Sequence, residues 1–146
     1  MELALEQARL AANLNETPIG AVLVWEGEVA ASAFNRRKLD RIATAHAEIL
    51  AINEACRKLG GWRLHKATLY VTLEPCPMCA GAIINARIKR VVYGASDRKA
   101  GCCGSILDLF REPFNHHPEV TGGVLAEESA ALIRPITIRS FNFQMI

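Results

Sequence analysis

The sequence predicts an α/β protein, a three-layer helix–sheet–helix sandwich around a mixed five-stranded sheet. Short β-rich runs alternate with helical stretches along most of the chain, the pattern of a sheet covered by helices. The first two strands are joined by a tight turn and so pair antiparallel, whereas the later strands are separated by helices and pair in parallel. The third strand runs directly into Pro75-Cys76-Pro77, and in such sheets ligands sit beyond the carboxyl ends of the strands.

The elements follow in order. Glu2 to Leu14 has apolar residues at Leu3, Leu10 and Leu14 with alanines between, which predicts an amphipathic helix. After the Pro18-Ile19-Gly20 break, Ala21 to Trp25 forms a buried strand. Glu26-Gly27 makes the turn, and Glu28 to Phe34 is the antiparallel partner. Asn35 to Lys38 leads into a loop, with Thr44 as N-cap of a helix that runs to about Leu59 and stops at Gly60-Gly61. Thr68 to Thr72 is the third strand. Proline at the first helical position costs no hydrogen bond, so Cys76-Pro77 starts a helix that reaches about Arg87. A strand over Arg90 to Tyr93, a short helix over Ser105 to Phe110, a strand around Val120 to Leu125 and a helix over Ala126 to Ile133 complete the list.

At 146 residues the chain has the length of one domain, and 51% hydrophobic residues are enough for a core. No apolar stretch approaches membrane-spanning length, and no basic region precedes an apolar core at the N-terminus. Five cysteines without a disulfide-like framework fit a reducing, cytoplasmic setting. The net charge of +2 hides an asymmetry. Residues 36–99 hold 13 Lys/Arg against 5 Asp/Glu, and the remainder holds 4 against 10. A basic central segment suits a polyanionic substrate, although a solvated helix surface has the same composition.

That segment also carries the chemistry. His46, Cys76 and Cys79 supply one nitrogen and two sulfurs, a soft set that suits Zn²⁺, and three protein ligands leave a position open as in catalytic sites. Two thiolates cancel the charge of the ion and weaken it as a Lewis acid, so a nearby base is needed. Glu48, two residues from His46, is the candidate proton carrier, acting as base and then as acid. Residues two apart do not share a helix face, so His46 and Glu48 converge only at a helix start. P-C-x-x-C alone also fits a redox pair or half of a structural zinc site. No second C-x-x-C follows, because Cys102 and Cys103 are adjacent. H-x-E together with P-C-x-x-C is the known signature of the zinc-dependent nucleobase deaminases.

More of the chain supports a narrower resemblance. Pro-Ile-Gly-Ala-Val at 18–22, Ala-His-Ala-Glu at 45–48, the run at 67–82, Val-Val-Tyr-Gly-Ala-Ser-Asp at 91–97, Phe-Asn-His at 114–116 and Gly-Val-Leu-Ala-Glu-Glu at 123–128 resemble the bacterial tRNA-specific adenosine deaminase family. The resemblance implies a single zinc-dependent deaminase domain over residues 1–146 with a cytidine-deaminase-like fold, one Zn²⁺ per subunit and a homodimer. It implies conversion of adenosine to inosine at the wobble position of a tRNA anticodon loop. By motif, Asn35 resembles the asparagine that reads the flipped base, and Asp97, Asn115 and His116 resemble residues that contact the anticodon loop. Two alternatives stay open: a deaminase of free guanine, cytosine or nucleosides, and a non-catalytic RNA-binding subunit with structural zinc. The chain departs from the resemblance at its end, where Pro135 interrupts any helix and only Arg134 and Arg139 are charged over residues 134–146.

Overall fold

The computed structural model describes residues 1–134, so the tail with Pro135, Arg139, Phe141 and Phe143 lies outside the described residues. The elements are α1 (Glu2–Asn13), β1 (Gly20–Trp25), β2 (Glu28–Phe34), α2 (Arg37–Asp40), α3 (Ala47–Leu59), β3 (Ala67–Leu73), α4 (Pro77–Asn85), β4 (Arg90–Ala95), a 3-10 turn (Leu109–Arg111) and β5 (Glu119–Thr121). Residues 126–134 form a final helix, α5. The sheet has five strands in the order β2-β1-β3-β4-β5. It is mixed as predicted: β1 is antiparallel to both neighbours, while β3, β4 and β5 run parallel.

Strand alternation divides the sheet into two faces. Ala21 and Leu23 of β1, Leu69 and Val71 of β3, and Val91 of β4 face α3 and α4, which fill that layer with Ala51, Ile52, Ala55, Ile83 and Ile84. A bulge between β1 and β2 lets the consecutive Ala30 and Ala31 both enter this core. The β1–β2 turn has Glu26 and Gly27 both at positive φ (49° and 84°), as a two-residue hairpin loop requires.

The opposite face carries α1 and α5. A Cβ at Gly20 would lie within van der Waals contact of the Ala4 carbonyl and the Ala8 nitrogen, so the α1 backbone rests directly on β1. A Cβ at Gly94 would meet Ser129 of α5 in the same way. This contact reverses the expected orientation of α1. Leu3, Leu10 and Leu14 are about half exposed, at 50%, 47% and 49%, and the buried residues are Ala4, Leu5, Ala8 and Ala11. Close approach to Gly20 needs small side chains on the inner face, and that requirement overrides the preference for burying leucine.

Three further expectations are corrected. Thr44 is not a helix cap: the chain turns over residues 42–46, stays extended through His46, and the first helical bond runs from Leu50 N–H to the His46 carbonyl at 3.0 Å. The run from Ser105 to Phe110 is not a helix. Its donors are taken elsewhere, Ser105 N–H by Glu74 and Leu109 N–H by the Cys102 carbonyl, and only Leu109–Arg111 closes a 3-10 turn. The loop after Asn35 contains the short helix α2, started by Arg37 N–H donating to Asn35 Oδ1 at 3.3 Å.

Candidate active site

Strand directions assemble the site. Because β1 is antiparallel to β2 and β3, the carboxyl ends of β2, β3 and β4 lie on one edge of the sheet. Asn35, Cys76 and Asp97 each follow one of those ends, and α3 brings His46 and Glu48 to the same edge at its amino end. All five line one cleft of about 250 Å³, near the lower edge of the range for small-ligand pockets.

His46 and Cys76 are both N-cap residues, of α3 and α4, with extended backbones (φ −75°, ψ 150° and φ −78°, ψ 175°). Glu48 sits in the first turn of α3. A histidine just outside a helix and a glutamate just inside it can therefore converge, which two residues within a regular helix cannot. Pro77 occupies the start of α4, as predicted, and Cys79 follows within its first turn. The positive ends of both helices point into the cleft and favour anionic sulfur.

His46 Nδ1 lies 3.6 Å from Cys76 Sγ and 3.5 Å from Cys79 Sγ. Zinc bonds of about 2.0 Å to nitrogen and 2.3 Å to sulfur at a tetrahedral angle place N and S about 3.5 Å apart. The three ligand atoms all fall within 4.8 Å of one another, so the donor set fits tetrahedral zinc in both chemistry and spacing. A hydrogen bond from Cys79, with His46 adding to it, draws the Cys76 thiol down to about 4 against the effect of burial. Cys79, buried and sharing its proton with Cys76, is pushed upward. His46 is raised, chiefly by its bond to Cys76.

Glu48 is 4% exposed, and burial raises its carboxyl above the ordinary carboxylate range despite an opposing bond to Cys79. Asn35 is also buried and its amide is oriented at both ends, with Nδ2 donating to the Thr17 carbonyl at 3.4 Å and Oδ1 accepting from Arg37. Asp97 is half-buried at the rim, where its Oδ1 accepts from Lys99 N–H at 2.9 Å and Ala100 N–H at 3.3 Å.

Asn115 and His116 are not brought to the cleft. His116 Nε2 is 2.6 Å from the Ile88 carbonyl, before β4 begins, so the segment lies at the other end of the strands. A residue that sequence reasoning passed over is Glu74, buried at the end of β3. Its carboxylate accepts from the N–H groups of Asp97 (3.1 Å), Cys103 (2.8 Å) and Ser105 (3.2 Å), and from the Ser105 hydroxyl. Burial acts to raise its pKa, but these four bonds outweigh it and hold the carboxyl below its ordinary value. Glu74 thus anchors the loop that carries Asp97. Its one sequence signal was an acid placed between an apolar strand and the Pro75-Cys76 ligand.

The family model of MafB19-like deaminases matches residues 1–132. A tRNA-specific adenosine deaminase of Bacillus subtilis (strain 168) is 52% identical over 134 residues, covering 91% of this chain and 83% of the relative. The chain belongs to the tRNA-specific adenosine deaminase family. The family member of Agrobacterium fabrum is likewise 52% identical, covering 92% and 89% of the two chains. A solved structure from work on tRNA:A34 deaminases shares the fold of this member at a TM-score of 0.87, with 52% identity over 90% of this chain and 96% of the other. A guanine deaminase from Bacillus subtilis is more distant in shape, with a TM-score of 0.63 and 42% identity over 65% of this chain and 61% of its own.

Proposed function

We propose that the protein hydrolyses adenosine to inosine at wobble position 34 of a tRNA anticodon loop, with His46, Cys76 and Cys79 holding one zinc ion. The observation that carries this reading is the tetrahedral spacing of the three ligand atoms beside a buried Glu48, in a chain half-identical to tRNA-specific adenosine deaminases. Zinc on these ligands supplies Lewis acidity and an open coordination position. In the reaction water adds at the amine-bearing carbon of the purine and ammonia leaves. Glu48 takes a proton from the attacking water, returns it to the ring nitrogen and carries the next to the departing amine. Burial keeps its carboxyl within range of both roles. The pre-oriented Asn35 amide fixes the ring edge, and Asp97 holds the cleft rim against the loop backbone.

A single-stranded loop suits this cleft, because an unstacked base is extruded more easily than one in a duplex. Asn115 and His116 stand outside it, so any contact they make with RNA is not with the reacting base. Exposed Ile106, Leu107 and Phe114 on the loop before β5 support a homodimer. A cytoplasmic location follows from a tRNA substrate, and among the described residues no helix is long and apolar enough to cross a membrane.

The test is incubation with an anticodon stem-loop bearing adenosine-34 and, separately, with free adenosine, cytidine and guanine. Deamination of the stem-loop is expected, falling about a hundred- to ten-thousand-fold in Glu48→Gln with zinc retained. Turnover of free guanine or cytidine with an inert stem-loop would transfer the assignment to the small-molecule deaminases.

A further inference from the structure

The end of the molecule opposite the cleft carries a surface that the proposed reaction does not use. Helices α3 and α4 finish there, β3 and β4 begin there, and residues 60–66 join α3 to β3. That connection is pinned. Gly60 closes α3 in the left-handed conformation (φ 76°), and Leu64 is fully buried, with its N–H donating to the Ala86 carbonyl at 2.7 Å just after α4. Trp62 therefore stands on a fixed backbone, yet it is 54% exposed.

An indole ring is a large apolar surface, and leaving it in water forgoes much of the stabilisation that burial would bring. Two guanidinium groups lie over it. Arg63 Cζ is 5.0 Å from the ring centroid and Arg87 Cζ is 5.8 Å from it. Arg87 is itself held in place, with Nη1 donating to the Ile84 and Asn85 carbonyls at 2.6 and 3.3 Å. Three planar groups, one aromatic and two cationic, thus meet at the surface.

The charge around them is one-sided. Arg57, Lys58, Arg63, Arg87, Lys89 and Arg90 gather at this end, and among the described residues none of the six forms an ion pair. The acids nearby are few: Glu26 is taken by Lys66 at 2.8 Å, and Glu119 is the β5 neighbour of Arg90 in the sheet. Arg57, Lys58 and Arg87 also offset the negative carboxyl ends of α3 and α4. That role does not account for Arg63, Lys89 and Arg90, nor for an aromatic ring held out in water.

An acidic peptide would meet the cations but leave the indole unused. An apolar partner would cover the indole and strand six cations. Single-stranded RNA satisfies both, because it brings closely spaced phosphates together with bases free to stack on aromatic and guanidinium planes. We propose that this end of the molecule is a second nucleic-acid surface, where a single strand of RNA stacks a base on the Trp62, Arg63 and Arg87 group and lays its phosphates along the six cations. A strand held here is not the one being deaminated, since the cleft opens at the other end of α3. The choice of RNA rests on the proposed tRNA substrate, whereas the surface itself does not depend on the chemistry of the cleft.

The test titrates the zinc-loaded protein with a fluorescently labelled uridine oligomer of about ten nucleotides, which has no adenosine to react. A saturating anticodon stem-loop is present to fill the cleft. Fluorescence anisotropy should show binding of the oligomer that the stem-loop does not displace. Trp62→Ala should weaken it about five- to a hundredfold, and Trp62→Tyr, which keeps a stacking ring, should recover most of that loss. Arg63→Gln and Arg90→Gln should each lower the slope of log affinity against log salt by roughly 0.7. These side chains are exposed, so melting temperature and stem-loop deamination should stay at wild-type levels. Absence of binding, an affinity unchanged in Trp62→Ala, or displacement by the stem-loop would each overturn the surface. So would competition by polyglutamate as strong as that by unlabelled RNA, which would make an acidic protein the occupant. A protein that binds the oligomer through Trp62 but deaminates no stem-loop would lose the proposed reaction and keep the surface.

Discussion

At the scale of single residues, the site depends on where two side chains stand relative to their helices. His46 and Cys76 precede α3 and α4, while Glu48 and Cys79 occupy the first turns, and this half-turn offset lets all four converge. Sequence spacing indicated the ligand set but not its geometry, because H-x-E within a helix would point the two side chains apart. The consequence is measurable. Cys76→Ser and Cys79→Ser should each abolish stoichiometric zinc in metal analysis. Cys102→Ser should retain it, since Cys102 Sγ faces the Ala100 carbonyl at 3.6 Å and belongs to the loop rather than to the ligand cluster. Full zinc in the Cys76 variant would refute the assignment of the centre.

At the scale of elements, the loop after β4 is shaped from within by Glu74. A Cβ on Gly101 would run into the Glu74 carboxylate and lie 2.5 Å from the Asp97 carbonyl, so only glycine permits this fold of the loop. Gly101→Ala should cost about 1–3 kcal/mol by breaking some of the bonds to Glu74. Melting temperature should fall and amide exchange should quicken across residues 97–105, while zinc content stays near one per chain. An unchanged melting temperature would mean that the loop adapts freely. The strands and long helices were legible in the sequence because period and stop signals agree, as at Glu26-Gly27 and Gly60. The inner face of α1, the real start of α3 and the non-helical 105–108 stretch were not. Each is decided by a partner distant in sequence: Gly20 for α1, the turn over residues 42–46 for His46, and Glu74 for Ser105.

At the scale of the whole molecule, the basic middle of the sequence separates into two surfaces. Arg37, Lys38, Arg41, Arg98 and Lys99 stand at the edge of the sheet where the cleft opens. Arg57, Lys58, Arg63, Lys66, Arg87, Lys89 and Arg90 gather at the opposite end, about 20 Å away along the 13 residues of α3. Composition by segment could not make this distinction, because helices and strands carry neighbouring sequence back and forth across the domain. Neutralising Arg98 and Lys99 should reduce the salt slope of stem-loop binding by roughly 0.7 per lost phosphate contact. Neutralising Arg57 and Lys58 should leave that slope unchanged for a short stem-loop. A large fall from the second pair would place the RNA across the far end.

The two N-caps have a consequence for stability as well. Neither His46 nor Cys76 caps its helix with a side-chain hydrogen bond, although such a cap is typically worth about 1 kcal/mol. Their side chains turn instead toward each other across 30 positions of sequence. A bound ion would then act as a removable cross-link between two helix starts, in place of two local caps. Chelation should lower the melting temperature and loosen the first turns of α3 and α4 in hydrogen exchange, leaving the β1–β2 hairpin protected. The same ion that equips the cleft for chemistry would determine whether its walls hold their shape.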